Sequence, residues 1–182
     1  MSDTTIRPAD ITGFWRQAGP ARWFARSDAF DSECARFRDA HFAAARREFE
    51  GWMHTAEGAL GLLLLLDQIP RNLFRGNAHA YATDPLARHY AARALGLGMD
   101  LQVDAGLRPF LYLPFEHSEE LVDQEHSVRL FAALDDAESE RWARAHHDII
   151  VRFGRFPHRN AALGRASTPT EQAFLDGGGF DG

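Results

Sequence analysis

Six side chains able to donate hydrogen bonds, Arg152, Arg155, His158, Arg159, Asn160 and Arg165, fall within fourteen residues. Arginine presents a planar fork of N–H groups that matches a carboxylate or a phosphate, so this density points to an anion. A second cluster, Asp67, Gln68, Arg71, Asn72 and Arg75, follows directly on a run of leucines. The two share a pattern: Pro70-Arg71-Asn72 with Arg75-Gly76 echoes Pro157-His158-Arg159-Asn160 with Gly164-Arg165. Were the two corners to meet, Arg71, Arg75, Arg155 and Arg159 would clamp a small anionic molecule, or the carboxylate or phosphate of a peptide. Asn72 and Asn160 would orient it, and Asp67, Gln68, His158 and Arg165 would complete the pocket.

A third cluster, Glu116, His117, Glu119, Glu120, Asp123, Gln124 and His126, brings imidazole and carboxylate together. His117, Glu120 and Gln124 stand at spacings of three and four, which is one helical face. His117 with Glu120 is the acid/base pair that face offers to a bound anion, and Gln124 would contact the ligand. All three clusters also have a structural reading. Asp67 and Arg71 would brace a proline corner, and the other arginines would pair inside the protein with Glu116, Glu119 and Glu120. A different chemistry is suggested by His146-His147-Asp148 with His117 and Asp176, a His…His-Asp…Asp pattern that resembles metal-dependent phosphohydrolases. There a divalent ion would activate water. The glycine-rich stretch beside Asp176 is a poor support for a rigid ligand, and the reading carried forward has no metal and no cofactor.

Composition narrows the field. All twenty basic residues are Arg, and the absence of Lys removes Schiff-base chemistry and a P-loop lysine. The formal charge of −6, with no basic run longer than Arg46-Arg47, argues against a nucleic-acid partner. Cys34 is the single cysteine, so neither an intrachain disulfide nor a thiolate metal cluster is expected. Cys34 and His41 share an apolar stripe and read as core. Trp15, Trp23, Trp52, Trp142 and fourteen Phe supply the aromatic part of that core. No G-x-S-x-G, G-x-G-x-x-G or H-E-x-x-H motif occurs. The longest apolar run, Leu62 to Leu66 extended by Ala59 and Leu60, is far short of a membrane span. With no signal-peptide pattern after Met1, a soluble cytoplasmic protein is expected.

The elements that must position these groups read as helices. Pro8 to about Gly19 is a short amphipathic helix, and Asp31 to Phe49 carries a stripe at spacings of three and four. Thr55 caps a helix through the leucines to about Gln68, where Ile69-Pro70 should break it. Asp84-Pro85 reads as an N-cap and first turn of a helix ended by Gly96 or Gly98. Pro109 and Pro114 bracket an apolar loop or short helix. Glu116 to Leu134 reads as one helix with Leu121, Val128, Leu130, Phe131 and Leu134 inward. Ser139 to Phe153 is stopped by Gly154, and Thr168-Pro169-Thr170-Glu171 opens a last helix by a capping box. No linker divides the chain, so residues 1–182 are expected to be one all-α domain, with 177–182 a loose tail.

Four blocks carry a family resemblance: Trp23-Phe24 with Phe30-Asp31, Leu62 to Gly76, Leu111 to Gln124, and Arg152 to Thr168. Together they are similar to the bacterial domain-of-unknown-function family 924, over nearly the whole chain. The resemblance implies an all-helical, tetratricopeptide-repeat-like fold, antiparallel helix pairs wound as a right-handed α-α superhelix. It implies no activity. A fold of that kind also admits a reading from another class, a module whose concave face docks a partner helix or peptide. Oligomeric state is not legible in these residues.

Overall fold

The computed structural model describes residues 6–180. Among them there is no strand, and the protein is all-α. No described helix is long and apolar enough to cross a membrane. The chain forms two compact units. The first takes residues up to Arg75 together with His79–Pro114, and the second takes Gly76–Ala78 and the chain from Phe115 on.

In the first unit, α1 (Pro8–Ala18) starts with proline in its first turn and ends at Gly19, and α2 (Pro20–Trp23) follows at once. The stripe read as one helix over Asp31 to Phe49 is three pieces. They are α3 (Asp28–Cys34), a 3-10 turn Ala35–Phe37 and α4 (Arg38–Ala45), and the chain then leaves helix with Arg47 at φ 63°. The buried positions explain the break. Cys34, Phe37 and Ala40 recur every three residues, the period of a 3-10 turn, and all three are buried. Burial also pushes the Cys34 thiol up to about 12, so it packs as an inert hydrophobe.

Helix α5 (Ala56–Leu63) is capped by Thr55, whose hydroxyl accepts from Gly58 N–H, and packs against α1. Leu62 to Leu66 are wholly buried, as a run with no polar face requires. Ile69-Pro70 does not break this helix, contrary to the preference of a pre-proline residue. The chain widens into a π-helical turn over Leu64–Gln68 and continues as α6 (Ile69–Leu73), with Ile69 at φ −55° and ψ −44°. In a regular α-helix the ring of Pro70 would strike the Leu66 carbonyl and leave it without a donor. The wider turn lets the helix pass, and the carbonyl it strands is met by Thr83. Thr83 is also the N-cap residue of α7 (Asp84–Gly96). Asp84, read from sequence as that cap, is instead the first residue of the helix and faces Arg71. The Pro109–Pro114 stretch is helix α8 (Pro109–Glu116), within which the boundary between the units falls.

The second unit is led by α9 (Leu121–Ala132) and α10 (Ala137–Phe153), joined by a short link and packed on each other, the arrangement of an antiparallel helix pair. Asp136 caps α10 through two backbone N–H groups, and Gly154 closes it in the left-handed conformation. The single helix read over Glu116 to Leu134 is interrupted at residues 117–120. Gln124 Nε2 donates to the carbonyls of Glu116 and Ser118 at 2.6 and 2.7 Å, so side chain replaces backbone at the end of α8. The inner face of α9 is Gln124, Ser127 and Phe131, while Leu121 is exposed. Ile149, Ile150 and Phe156 form a core on which Phe153, Phe174 and Phe180 pack. Helix α11 (Pro169–Asp176) starts from the expected capping box of Thr168 and Glu171. Beyond it, Phe180 of the segment read as a loose tail packs on this core; Asp181 and Gly182 lie outside the described residues.

Candidate functional site

The Asp67–Arg75 corner lies in the first unit and the Phe156–Arg165 corner in the second, and each is closed by partners from its own unit. In the first, side chains donate to backbone carbonyls of the π turn. The Leu65 carbonyl accepts from His41 Nδ1 at 2.8 Å and the Gln68 carbonyl from Asn72 Nδ2 at 3.2 Å. The Asp67 carbonyl accepts from Arg71. Arg71 also makes a two-pronged pair with Asp84, both contacts 3.0 Å, and lies 3.3 Å from Asp67, whose carboxylate accepts from Gln68 Nε2 at 2.6 Å. Burial by itself lowers the pKa of the Arg71 guanidinium, but Asp67 and Asp84 outweigh it and raise it. Arg75 grips Asp31 at 2.9 and 2.8 Å. His41, placed in the core by the sequence, is fully buried; desolvation lowers its pKa, so it is neutral and its Nε2 accepts from His79 Nε2 at 3.1 Å.

In the second unit the arginines also hold carboxylates. Arg165 forks onto Glu119 at 2.7 and 2.9 Å and donates to the Phe156 carbonyl and Asn160 Oδ1. Burial pushes the Glu119 carboxyl up, but Arg165 and the Phe156 N–H hold it below the ordinary range. Arg155 forks onto Glu171 at 2.6 and 2.8 Å, and Asn160 Nδ2 donates to Ser167. Arg155, with the Thr168 N–H, lowers the Glu171 pKa to about 2. Arg159 donates to the His117 carbonyl at 2.9 Å, with its guanidinium 4.4 Å above the Phe156 ring. Glu119 and Asp67 were legible as possible partners. Asp31, Asp84 and Glu171 were not, since they stand outside the three polar clusters of the sequence.

What sets the second unit apart is its imidazoles. His117 and His146 lie 6.3 Å apart between ring centroids, and His158 shares the Phe156 and Phe180 rings with His146. The Nδ1 of His146 faces both the Trp142 carbonyl at 2.9 Å and Glu116 Oε1 at 3.2 Å. Two acceptors there place a proton on Nδ1. His158 Nδ1 is buried with no hydrogen-bond partner in the protein. Burial first, then the charge of Arg159 and the neighbouring imidazoles, drives the His158 pKa down to about 3 and keeps the ring neutral. Gln124 Oε1, on the inner face of α9, is likewise buried and unpartnered. The pairing of His117 with Glu120 on one face does not form: both precede α9, and Glu120 is exposed while Gln124 is buried. Glu116 with His146 is the imidazole–carboxylate pair the structure builds in its place.

The His-Asp pattern is split by the helix that carries it. His146 turns into the unit toward Glu116, whereas His147 and Asp148 line a groove of about 440 Å³ between α9 and α10, with Arg129 and Arg144. Consecutive helical residues point about 100° apart. Asp176 is exposed and accepts from Gln172. Among the described residues no three His, Cys, Asp or Glu side chains form a group able to hold a metal. Sequence reasoning passed over Phe180, for which the preceding glycines gave no signal, and gave His146 only a metal-ligand role.

Residues 11–179 match the family described as bacterial protein of unknown function, DUF924. The fold is similar to that of a protein of unknown function from Agrobacterium tumefaciens, at 52% identity and a TM-score of 0.90, over 93% of this chain and 97% of that one. Among curated proteins none matches.

Proposed function

We propose, of a chain that belongs to this DUF924 family of bacterial proteins, that its second unit binds a small anionic ligand at the cluster of His117, His146, His158 and Arg159. The observation that carries this reading is the His158 ring: neutral, with a buried Nδ1 that no protein group satisfies. An unmet buried polar atom costs about 1–3 kcal/mol, and a site that ligand completes is a physical reason to retain it. Arg159 brings positive charge beside that ring and is kept in place by the His117 carbonyl and the Phe156 face. Where the ligand's chemistry needs a proton moved, two imidazoles stand ready. His146 is oriented by Glu116, as a general base requires. His117 is only half-buried, so part of its ring meets solvent. The residues Arg71, Arg75, Arg155 and Arg165 hold carboxylates, and in this reading they fix the scaffold.

The test is an NMR titration of the imidazole nitrogens with inorganic phosphate and, separately, with acetate. One of these anions is expected to move the His158 and His117 ring signals to saturation, and His117→Ala is expected to weaken that response. Ring signals that ignore both anions, in a protein that stays folded, overturn the reading.

A further inference from the structure

Phe180 is set against aromatic groups that carry polar atoms. Its ring centroid lies 4.5 Å from that of His146 at 69°, 5.3 Å from His158 at 65° and 5.9 Å from Trp142 at 55°. Edge-on and tilted contacts of this kind are what an aromatic ring seeks. The core of Ile149, Ile150 and Phe156 adjoins the ring, and the rings that meet it edge-on or tilted include two imidazoles and an indole. Two of these belong to the candidate site itself. Phe180 thus fills a ring-shaped slot whose wall includes the polar groups proposed to meet an anion.

The chain that delivers Phe180 leaves α11 through a glycine C-terminal turn of the kind that commonly ends a helix. Gly177, Gly178 and Gly179 follow α11 in succession, and their N–H groups donate to the carbonyls of Ala173, Leu175 and Phe174. Gly178 has φ 75°, a conformation that L side chains rarely adopt. At Gly179 a Cβ would stand 2.5 Å from the Phe174 carbonyl and 2.7 Å from its ring. The strap therefore holds Phe180 in place through glycine geometry and backbone hydrogen bonds. Phe180 itself is only partly buried, so displacing it exposes less apolar surface than displacing a core residue would.

We infer that the slot occupied by Phe180, between Trp142, His146 and His158, is a subsite for an aromatic ring of the ligand, which is then an aromatic carboxylate or phosphate, with the Gly177–Gly179 strap moving Phe180 out as the ligand enters. This rests on the anion reading above and names the ligand class for the same site. A ligand that must first displace Phe180 binds with an affinity reduced by the fraction of time the slot is open. Removing the ring removes that penalty.

The experiment titrates benzoate and acetate into the parent protein, Phe180→Ala and Gly178→Ala, following the Trp142 indole and the His146 and His158 rings by NMR. Phe180→Ala is expected to bind benzoate about tenfold more tightly than the parent, with acetate unchanged between them. Gly178→Ala strains the strap without touching the ring, and is expected to raise benzoate affinity in the same direction. It decides the matter should Phe180→Ala fail to fold. A folded Phe180→Ala that binds benzoate no better than the parent overturns the subsite. When phosphate still moves His117 and His158 in the parent, that failure belongs to the subsite alone. When neither anion moves any ring in any variant, the anion reading falls with it.

Discussion

The corners at Pro70-Arg71-Asn72 and Pro157-His158-Arg159-Asn160 look alike in sequence and are used differently. In the first unit Arg71, Asn72, Thr83 and His41 each donate to a carbonyl of the π turn that precedes Pro70. In the second, Arg155, Arg165 and Asn160 tie a loop to Glu119, Glu171 and Ser167, but the histidines among them are not all satisfied. A polar cluster in which side chains complete a backbone defect explains itself. A polar cluster with a neutral imidazole whose buried Nδ1 goes unanswered does not, and that difference separates scaffold from candidate site.

The largest expected effect is at the first corner. Asp67 is 1% exposed and the Asp84 side chain 9%, and both face Arg71. Arg71→Ala removes the cation that both buried carboxylates face and a donor to the Asp67 carbonyl, so unfolding free energy is expected to fall by about 3–5 kcal/mol. Urea unfolding measures it. A loss well under that range would mean that the corner is not the brace described here, and the contrast between the corners would fade.

Next is the ion pair that ties α11 to its loop. Arg155 and the Thr168 N–H hold the Glu171 pKa near 2, below the ordinary value of 4.5. The folded state therefore favours the ionised carboxylate. Its contribution to stability is full above pH 4.5 and is lost progressively as the pH falls toward 2. Glu171→Gln is expected to flatten the stability profile in that window while lowering stability at neutral pH. Melting curves recorded across the window for both proteins check it, and parallel profiles would contradict the assignment.

Much of the fold was legible because its signals are local. Pro8, Thr55, Gly154 and the Thr168 capping box all mark ends where the structure has them, since a cap depends on residues within one turn. The misreadings have distant causes. Nothing near Pro70 announces that Thr83 and His41, 17 residues after and 24 residues before the carbonyls they meet, will let a helix run through a proline. The 3-10 turn at Ala35–Phe37 arises from which side chains the core accepts, a tertiary fact. The site was legible only in its residue types. His117, His158 and Arg159 were visible as chemistry, but the partner that orients His146 is Glu116, 30 residues earlier, and Phe180 reaches the cluster from beyond α11.

A smaller effect tests the π turn. Thr83→Val keeps the shape of the side chain and removes the hydroxyl that answers the Leu66 carbonyl. The buried carbonyl is then unmet, and stability is expected to drop by about 1–3 kcal/mol. Amide hydrogen exchange should show the loosening first in residues 64–73, where the helix depends on that bond. Uniform loosening across the first unit would instead make Thr83 a general packing residue.

The smallest expected effect sharpens the comparison most. His158→Phe keeps a ring of similar shape against Phe156 and removes the buried Nδ1 that has no partner. Scaffold logic, valid at Arg71, demands that changing a buried polar side chain destabilise the protein. For a group retained for a ligand the sign reverses, because deleting an unmet polar atom relieves its desolvation cost. Unfolding free energy of His158→Phe is expected to stay level or rise by up to about 1 kcal/mol, while the phosphate response of the His117 ring disappears. A fall of more than about 2 kcal/mol would place His158 with Arg71 among the structural groups, and the second corner would then differ from the first only in its composition.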